Sequence, residues 1–150
     1  MTTAQKNYTG YYKNYFGNSI ELKNDSTFKF TWKFDCSGSW TIGSWAVKND
    51  TIYFTAKPIY DTLKQFNQET NSQIDTLVLS LDEKSNRITS VEFAINEITS
   101  GGQNKYQMPS SLFFRNERLY EIGNYGRLIK KKRKEFWSNK KYNSWYFRQE

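Results

Sequence analysis

The segment Phe28-Lys29-Phe30-Thr31-Trp32-Lys33-Phe34 places a large ring at every second position and a polar side chain between each pair. Successive side chains of a β-strand point to opposite faces, so this pattern makes one ring-lined face and one wet face. A helix would scatter the same four rings around its axis. The chain must therefore hold a long, half-buried strand and a partner to pair with it.

The residues before it supply that partner. Ile20 and Leu22 alternate ahead of Asn24-Asp25-Ser26, a polar turn, so the two runs are predicted to form a hairpin. Residues 35–39 read as the next turn. Trp40 and Ile42 share one parity and Trp45 and Val47 the other, with Gly43-Ser44 at the switch. Either one extra residue makes a bulge there, or Gly43 starts a new strand after a bend. Lys48-Asn49-Asp50 reads as a turn into the alternating pair Ile52 and Phe54, and Pro58 ends that strand.

Residues 58–73 are weakly patterned. Leu63 and Phe66 are spaced for a single helical turn, and the stretch is placed over one end of a barrel or sandwich. Leu77, Leu79 and Leu81 share a parity, as do Val91, Phe93 and Ile95, which predicts two more strands. Ser100-Gly101-Gly102 is the strongest breaker. Tyr106 and Met108 suggest a short strand before Pro109. Residues 112–114 and 119–122 flank Arg115-Asn116-Glu117-Arg118 as a hairpin, and residues 142–147 form a final strand.

This spacing gives an all-β fold of about eight to ten short strands. A closed antiparallel barrel and a β-sandwich both accommodate it. The meander-like order, without βαβ intervals, favours the barrel. At 150 residues the chain fits a single domain, residues 1–150, with the basic segment 127–150 as part of it.

Charge is segregated along the chain. Thirteen basic and thirteen acidic residues balance within residues 1–126, so the whole net charge of +7 comes from residues 127–150. The run Lys130-Lys131-Lys132-Arg133-Lys134, with Lys140 and Lys141 beyond it, lies among Phe136, Trp137, Trp145 and Tyr146. Cations interleaved with stacking rings suit single-stranded nucleic acid, and Lys130, Lys132, Lys134, Lys140 and Lys141 are the candidate polyanion contacts. A solvated charge run beside rings that pin the tail to the barrel accounts for the same pattern. An anionic membrane face would attract the same block.

Composition argues against several chemistries. There is no histidine, so the Ser-His-Asp and Cys-His arrangements are excluded and the commonest metal ligand is missing. Cys36 is the only cysteine, so no internal disulfide forms. No paired-cysteine or EF-hand spacing occurs, and no metal or cofactor is expected. Carboxylates such as Glu21, Asp61, Glu92 and Glu97 stand in no motif, and the chain is not expected to be an enzyme. No apolar run is long enough to span a bilayer as a helix. The opening Thr2-Thr3-Ala4-Gln5 carries no apolar signal core and fits the remnant of a cleaved export signal.

Four stretches combine into a recognisable series: Gly10-Tyr11-Tyr12, the hairpin Ile20-Glu21-Leu22-Lys23-Asn24-Asp25-Ser26-Thr27-Phe28, Gly43-Ser44-Trp45, and Asn49-Asp50-Thr51-Ile52. In this order residues 8–56, and more faintly residues 118–134, resemble the small lipocalin-like proteins of bacterial envelopes. In lipocalins proper the Gly-x-Trp lies in the first strand, whereas here it comes later. The resemblance implies an antiparallel barrel that binds a small apolar or amphipathic molecule. It also implies an exported envelope protein, in the periplasm or held as a lipoprotein after signal removal; a cytoplasmic protein is the alternative.

Phe28, Phe30, Trp32, Phe34, Trp40, Trp45 and Phe54 are the candidate ligand-lining residues, because a cavity for such a molecule is mostly apolar. The same rings would equally make a solid core. A non-enzymatic structural or protein-interaction domain of the envelope is the alternative function, and polyanion or nucleic-acid binding through the basic segment is the third.

Overall fold

The alternating rings do form a strand, and the strand belongs to a closed barrel. In the computed structural model, residues 5–34, 37–98 and 101–150 are described. The turn residues Asp35 and Cys36, Ser100 of the breaker, the Thr2-Thr3-Ala4 opening and the side chain of Phe34 lie outside that set.

The strands are β1 (Gly10–Lys13), β2 (Asn18–Leu22), β3 (Thr27–Phe34), β4 (Ser37–Lys48), β5 (Thr51–Ala56), β6 (Tyr60–Asn67), β7 (Ser72–Leu79) and β8 (Arg87–Ile88). Helix α1 (Ser90–Ile98) follows, then β9 (Ser111–Arg115), β10 (Arg118–Glu121), β11 (Arg133–Lys134), β12 (Lys141–Tyr142) and β13 (Tyr146–Arg148). Eight of them close an antiparallel barrel in the order β1-β2-β3-β4-β5-β9-β10-β13 and back to β1. Closure leaves no sheet edge and rules out the sandwich.

The ladder registers show which residues share the inner face. Tyr12, Ile20, Phe30 and Thr41 lie across from one another in turn, as do Leu22, Phe28 and Gly43, and then Val47, Ile52 and Leu112. With Phe114, Leu119 and Tyr146 they form the buried core. Each such apolar side chain contributes roughly 1.5–3 kcal/mol by leaving water.

The two ends of the barrel differ. Tight turns cluster at one end. Asn49 and Asp50 join β4 to β5, and Asn116 and Glu117 join β9 to β10; all four have positive φ, as a two-residue hairpin turn of the I′ kind requires. At the other end, the mouth, the chain leaves the barrel for residues 57–110 and again for residues 122–145. The first excursion carries a separate three-stranded sheet, β7-β6-β8, with α1 beside it. Buried Gln103 ties it together: its amide donates to the carbonyls of Ile59 and Ser80 and its oxygen accepts from Ile59 N. Trp40 and the 102–104 backbone join this excursion to β4 through two hydrogen bonds.

Several expectations are corrected. Residues 90–98 form α1, not a strand. Thr89 and Glu92 make a reciprocal capping box, with Thr89 N donating to Glu92 Oε2 and Glu92 N to Thr89 Oγ1. Val91 and Ile95 also fit a helical spacing, and the cap decides between the two periods. There is no bulge at Gly43-Ser44: β4 pairs without interruption on both sides. Thr41, Gly43, Trp45 and Val47 therefore point inward, and Trp40 and Ile42 outward. Leu63 and Phe66 lie in β6 rather than in a helical turn, and Tyr106 and Met108 form no strand. Leu77 and Leu79 do lie in a strand, β7, where both are exposed. The final strand begins only at Tyr146, and of the basic run only Arg133 and Lys134 are in a strand.

Candidate functional site

An eight-stranded barrel is just wide enough to be filled by its own side chains or to hold one small ligand. Here the two outcomes divide along the barrel axis. Toward the tight-turn end, Tyr12, Leu22, Phe28, Phe30 and Ile52 pack it solid. At the mouth an open pocket of about 630 Å³ remains, within the range of small-molecule sites.

Asn18, Glu121 and Tyr146 form its polar inner wall. Asn18 begins β2, and the loop before it is built to hold it: Asn14 Oδ1 accepts from both Phe16 N and Asn18 N at 3.0 Å. Gly17 has φ 82, and a Cβ there would run into the Lys33 carbonyl. Asn18 is only 9% exposed, yet its Oδ1 has no hydrogen-bond partner among the described residues. Glu121 has the inward parity of Leu119 in β10, and its carboxylate takes Arg133 of β11 at 2.5 Å. Burial pushes the Tyr146 hydroxyl well above the usual tyrosine pKa; the nearby Glu121 charge adds to this, and a hydrogen bond with Asn18 works the other way.

The apolar wall comes from residues that leave the barrel. Tyr106 of the first excursion stacks on Trp32, with centroids 5.1 Å apart and planes at 8°. Met108 and Phe16 line the same pocket. The site can therefore offer an unmet acceptor, a paired carboxylate and phenol groups beside flat apolar surface.

The predicted ring cluster is divided by the structure. Phe28 and Phe30 are sealed in the core, and Phe54 packs edge-on against Phe28 at 4.9 Å. Trp45 is half-buried against the core and donates from Nε1 to the Lys23 carbonyl. Trp32 reaches the mouth through Tyr106. Trp40 lies on the outer face with Lys29 over its ring, away from the interior. Phe34 lies in β3, its side chain outside the described set.

Among the polyanion candidates, Lys130, Lys132, Lys134, Lys140 and Lys141 are all exposed. Lys134 borders the pocket next to Arg133, although strand alternation sets the two on opposite faces of their hairpin. Among the described residues no group of three or more His, Cys, Asp or Glu side chains is placed to hold a metal. Among the described residues no helix is long and apolar enough to cross a membrane.

Asn18 and Glu121 were not singled out from sequence, and Tyr106, Arg133 and Tyr146 were read there as a strand residue, part of the basic run and a tail ring, never as one site. Glu121 carried a usable signal, since an acidic residue two positions after an inward Leu119 must also face in. Tyr106 and Arg133 carried none, because their loops reach the mouth only in three dimensions. No protein-family model, curated protein or solved structure matches the chain. The closed barrel is consistent with a calycin or lipocalin-like fold on its geometry alone.

Proposed function

We propose that the chain is a non-catalytic binding module whose barrel mouth takes a small amphipathic molecule with a hydrogen-bond donor in its head group. The observation that carries this reading is that Asn18, a residue lining a 630 Å³ pocket, holds a buried Oδ1 with no hydrogen-bond partner among the described residues. An unmet buried acceptor is unfavourable by about 1–3 kcal/mol, and a ligand hydroxyl relieves it. The tail of such a ligand lies along Met108, Phe16 and the Tyr106 ring. An exported, envelope setting fits a lipocalin-like barrel with one cysteine.

The test is calorimetric titration with 1-octanol and with its methyl ether, which lacks the donor. The alcohol is expected to bind about ten-fold more tightly, equivalent to about 1.4 kcal/mol, and Asn18→Leu to remove the difference. Equal affinities, or no binding of either, overturn the reading.

A second reading, protein interaction, is favoured by the first excursion. Tyr60, Phe66, Leu77 and Leu79 share one face of the β6-β7 pair and are all exposed, with Leu77 at 66%. Such an apolar face often marks an interface. Light scattering across concentration tests it: a monomer that retains no partner in a pull-down argues against this reading.

A further inference from the structure

The second excursion folds into a small hairpin with two unlike faces. The β11-β12 ladder sets Arg133 across from Tyr142 and Lys134 across from Lys141. Arg133 and Tyr142 hold the hairpin to the barrel: Arg133 pairs with Glu121, and Tyr142 stacks on Tyr15 at 4.7 Å. By strand alternation Lys134 and Lys141 therefore lie on the other face, as directly opposed like charges, an arrangement that is itself unfavourable. Lys131, Lys132 and Lys140 are exposed nearby in sequence, and Lys130 stands over the Tyr120 ring at 6.0 Å. Among the described residues none of these six lysines makes an ion pair. Glu135, the hairpin's one carboxylate, accepts from Ser138 Oγ at 2.7 Å.

The tip is apolar. Phe136 and Trp137 are 77% and 75% exposed. Together with Tyr15 and Phe16 they line a groove beside the β1-β2 turn. Phe16 also lines the mouth pocket, so the tip stands at the rim of the mouth.

We propose that this hairpin docks the barrel, mouth first, onto an anionic lipid surface. Phe136 and Trp137 enter the interface between head groups and acyl chains, and the lysines behind them meet the lipid phosphates. Rings at a tip with cations set behind them match the layering of a membrane interface, where aromatic side chains sit at head-group depth and anionic lipids attract lysines. The charge is complementary as well, because the chain's whole excess of +7 lies in residues 127–150.

Single-stranded nucleic acid fits less well. It needs successive ring faces along a track. Here the two tip rings meet edge to face at 88°, and Tyr15 and Tyr142 cover one another. This inference stands apart from the ligand proposed for the pocket.

The experiment is co-sedimentation of the full chain with vesicles of phosphatidylcholine alone and of phosphatidylcholine with phosphatidylglycerol at 7:3. Partition is expected to be at least about ten-fold stronger on the anionic vesicles, equivalent to about 1.4 kcal/mol. Joint Phe136→Ala and Trp137→Ala substitution, and joint Lys134→Gln, Lys140→Gln and Lys141→Gln substitution, are each expected to reduce it at least about ten-fold. Matching urea midpoints establish that these exposed changes leave the fold intact. Brominated phosphatidylcholine mixed into the anionic vesicles should quench tryptophan emission, and Trp137→Phe should remove most of that quenching.

No anionic-vesicle binding overturns the proposal. So does binding indifferent to the two ring substitutions, which marks simple charge adsorption. Retention of oligo-deoxythymidine without vesicle binding assigns the hairpin to nucleic acid instead. Octanol titration of the ring variants, without vesicles, reads the pocket separately.

Discussion

Arg148 and Tyr12, 136 residues apart, face each other across the β1-β13 ladder that closes the barrel. Arg148 donates to the Tyr12 hydroxyl from Nη2 at 2.7 Å and from Nε at 3.2 Å. The hydroxyl in turn donates a hydrogen bond to the Tyr8 carbonyl at 2.7 Å. The guanidinium also stands over the rings of Tyr12 and Phe114 and pairs with Glu117. One side chain near the end of the chain thus fastens the first strand, the last strand and the β9-β10 turn.

Arg148→Ala is therefore expected to destabilise the barrel by about 2 kcal/mol, from two charge-assisted hydrogen bonds and the cation–ring contacts. Arg148→Lys should recover less than half, since an ammonium cannot reproduce the planar fork. Urea midpoints at neutral pH measure both. A change within about 0.5 kcal/mol for the alanine variant would mean that the closure does not depend on this residue.

The β4-β5 turn has an acid-sensitive clasp. Lys6 and Tyr8 both donate to Asp50, Tyr8 at 2.7 Å. The Lys6 hydrogen bond first, and the Tyr8 hydrogen bond second, hold the Asp50 carboxyl below its usual range. A carboxylate depressed in the folded state stabilises the fold in full above its unfolded pKa, about 3.9, and loses that contribution as pH falls through the folded value. The parent is expected to show this acid-side loss and Asp50→Asn to lack it, with asparagine still accepting the turn's positive φ. Melting curves from pH 6 to pH 2 decide; parallel profiles would refute the clasp.

Alkali should act at the opposite end of the barrel. The folded Tyr146 pKa is raised, so folding holds a proton that the unfolded chain releases above about pH 10. Its stabilising effect is complete below that pH and declines as pH climbs toward the folded value. Burial raises Tyr12 in the same direction, with Arg148 opposing. Tyr146→Phe is expected to flatten the fall in urea midpoint between pH 10 and pH 11.5 without abolishing it. An unchanged slope would count against a buried Tyr146 hydroxyl.

Phe28 lies across from Gly43 in the β3-β4 ladder, and its ring fills the space a side chain would take. A Cβ at position 43 would come within 2.9 Å of the Phe28 ring and closer still to the Thr55 carbonyl. Gly43→Ala is expected to cost about 2–3 kcal/mol, because a packed core resists even one added methyl. Thermal denaturation measures it, and a variant as stable as the parent would place the Phe28 ring elsewhere.

What the residue order determined was an all-β fold of short antiparallel strands, with the barrel favoured over the sandwich. Alternation at Phe28, Phe30 and Trp32, the Asn49-Asp50 turn and the 115–118 hairpin are local signals, carried by neighbours in sequence, and they suffice for strand, face and fold class. Where two periods competed, as at Val91 and Ile95, the capping pair Thr89 and Glu92 held the answer within four residues. The mouth was decided otherwise. Asn18, Glu121, Tyr146, Tyr106 and Arg133 come from three barrel strands and two excursions, and no periodicity links them. Closing the barrel and folding both excursions back over one end brings them together. Side-chain alternation is a property of the backbone and can be read from its sequence. Convergence of distant loops on one rim depends on which ends of the strands they leave, and that is settled only when the first strand meets the last.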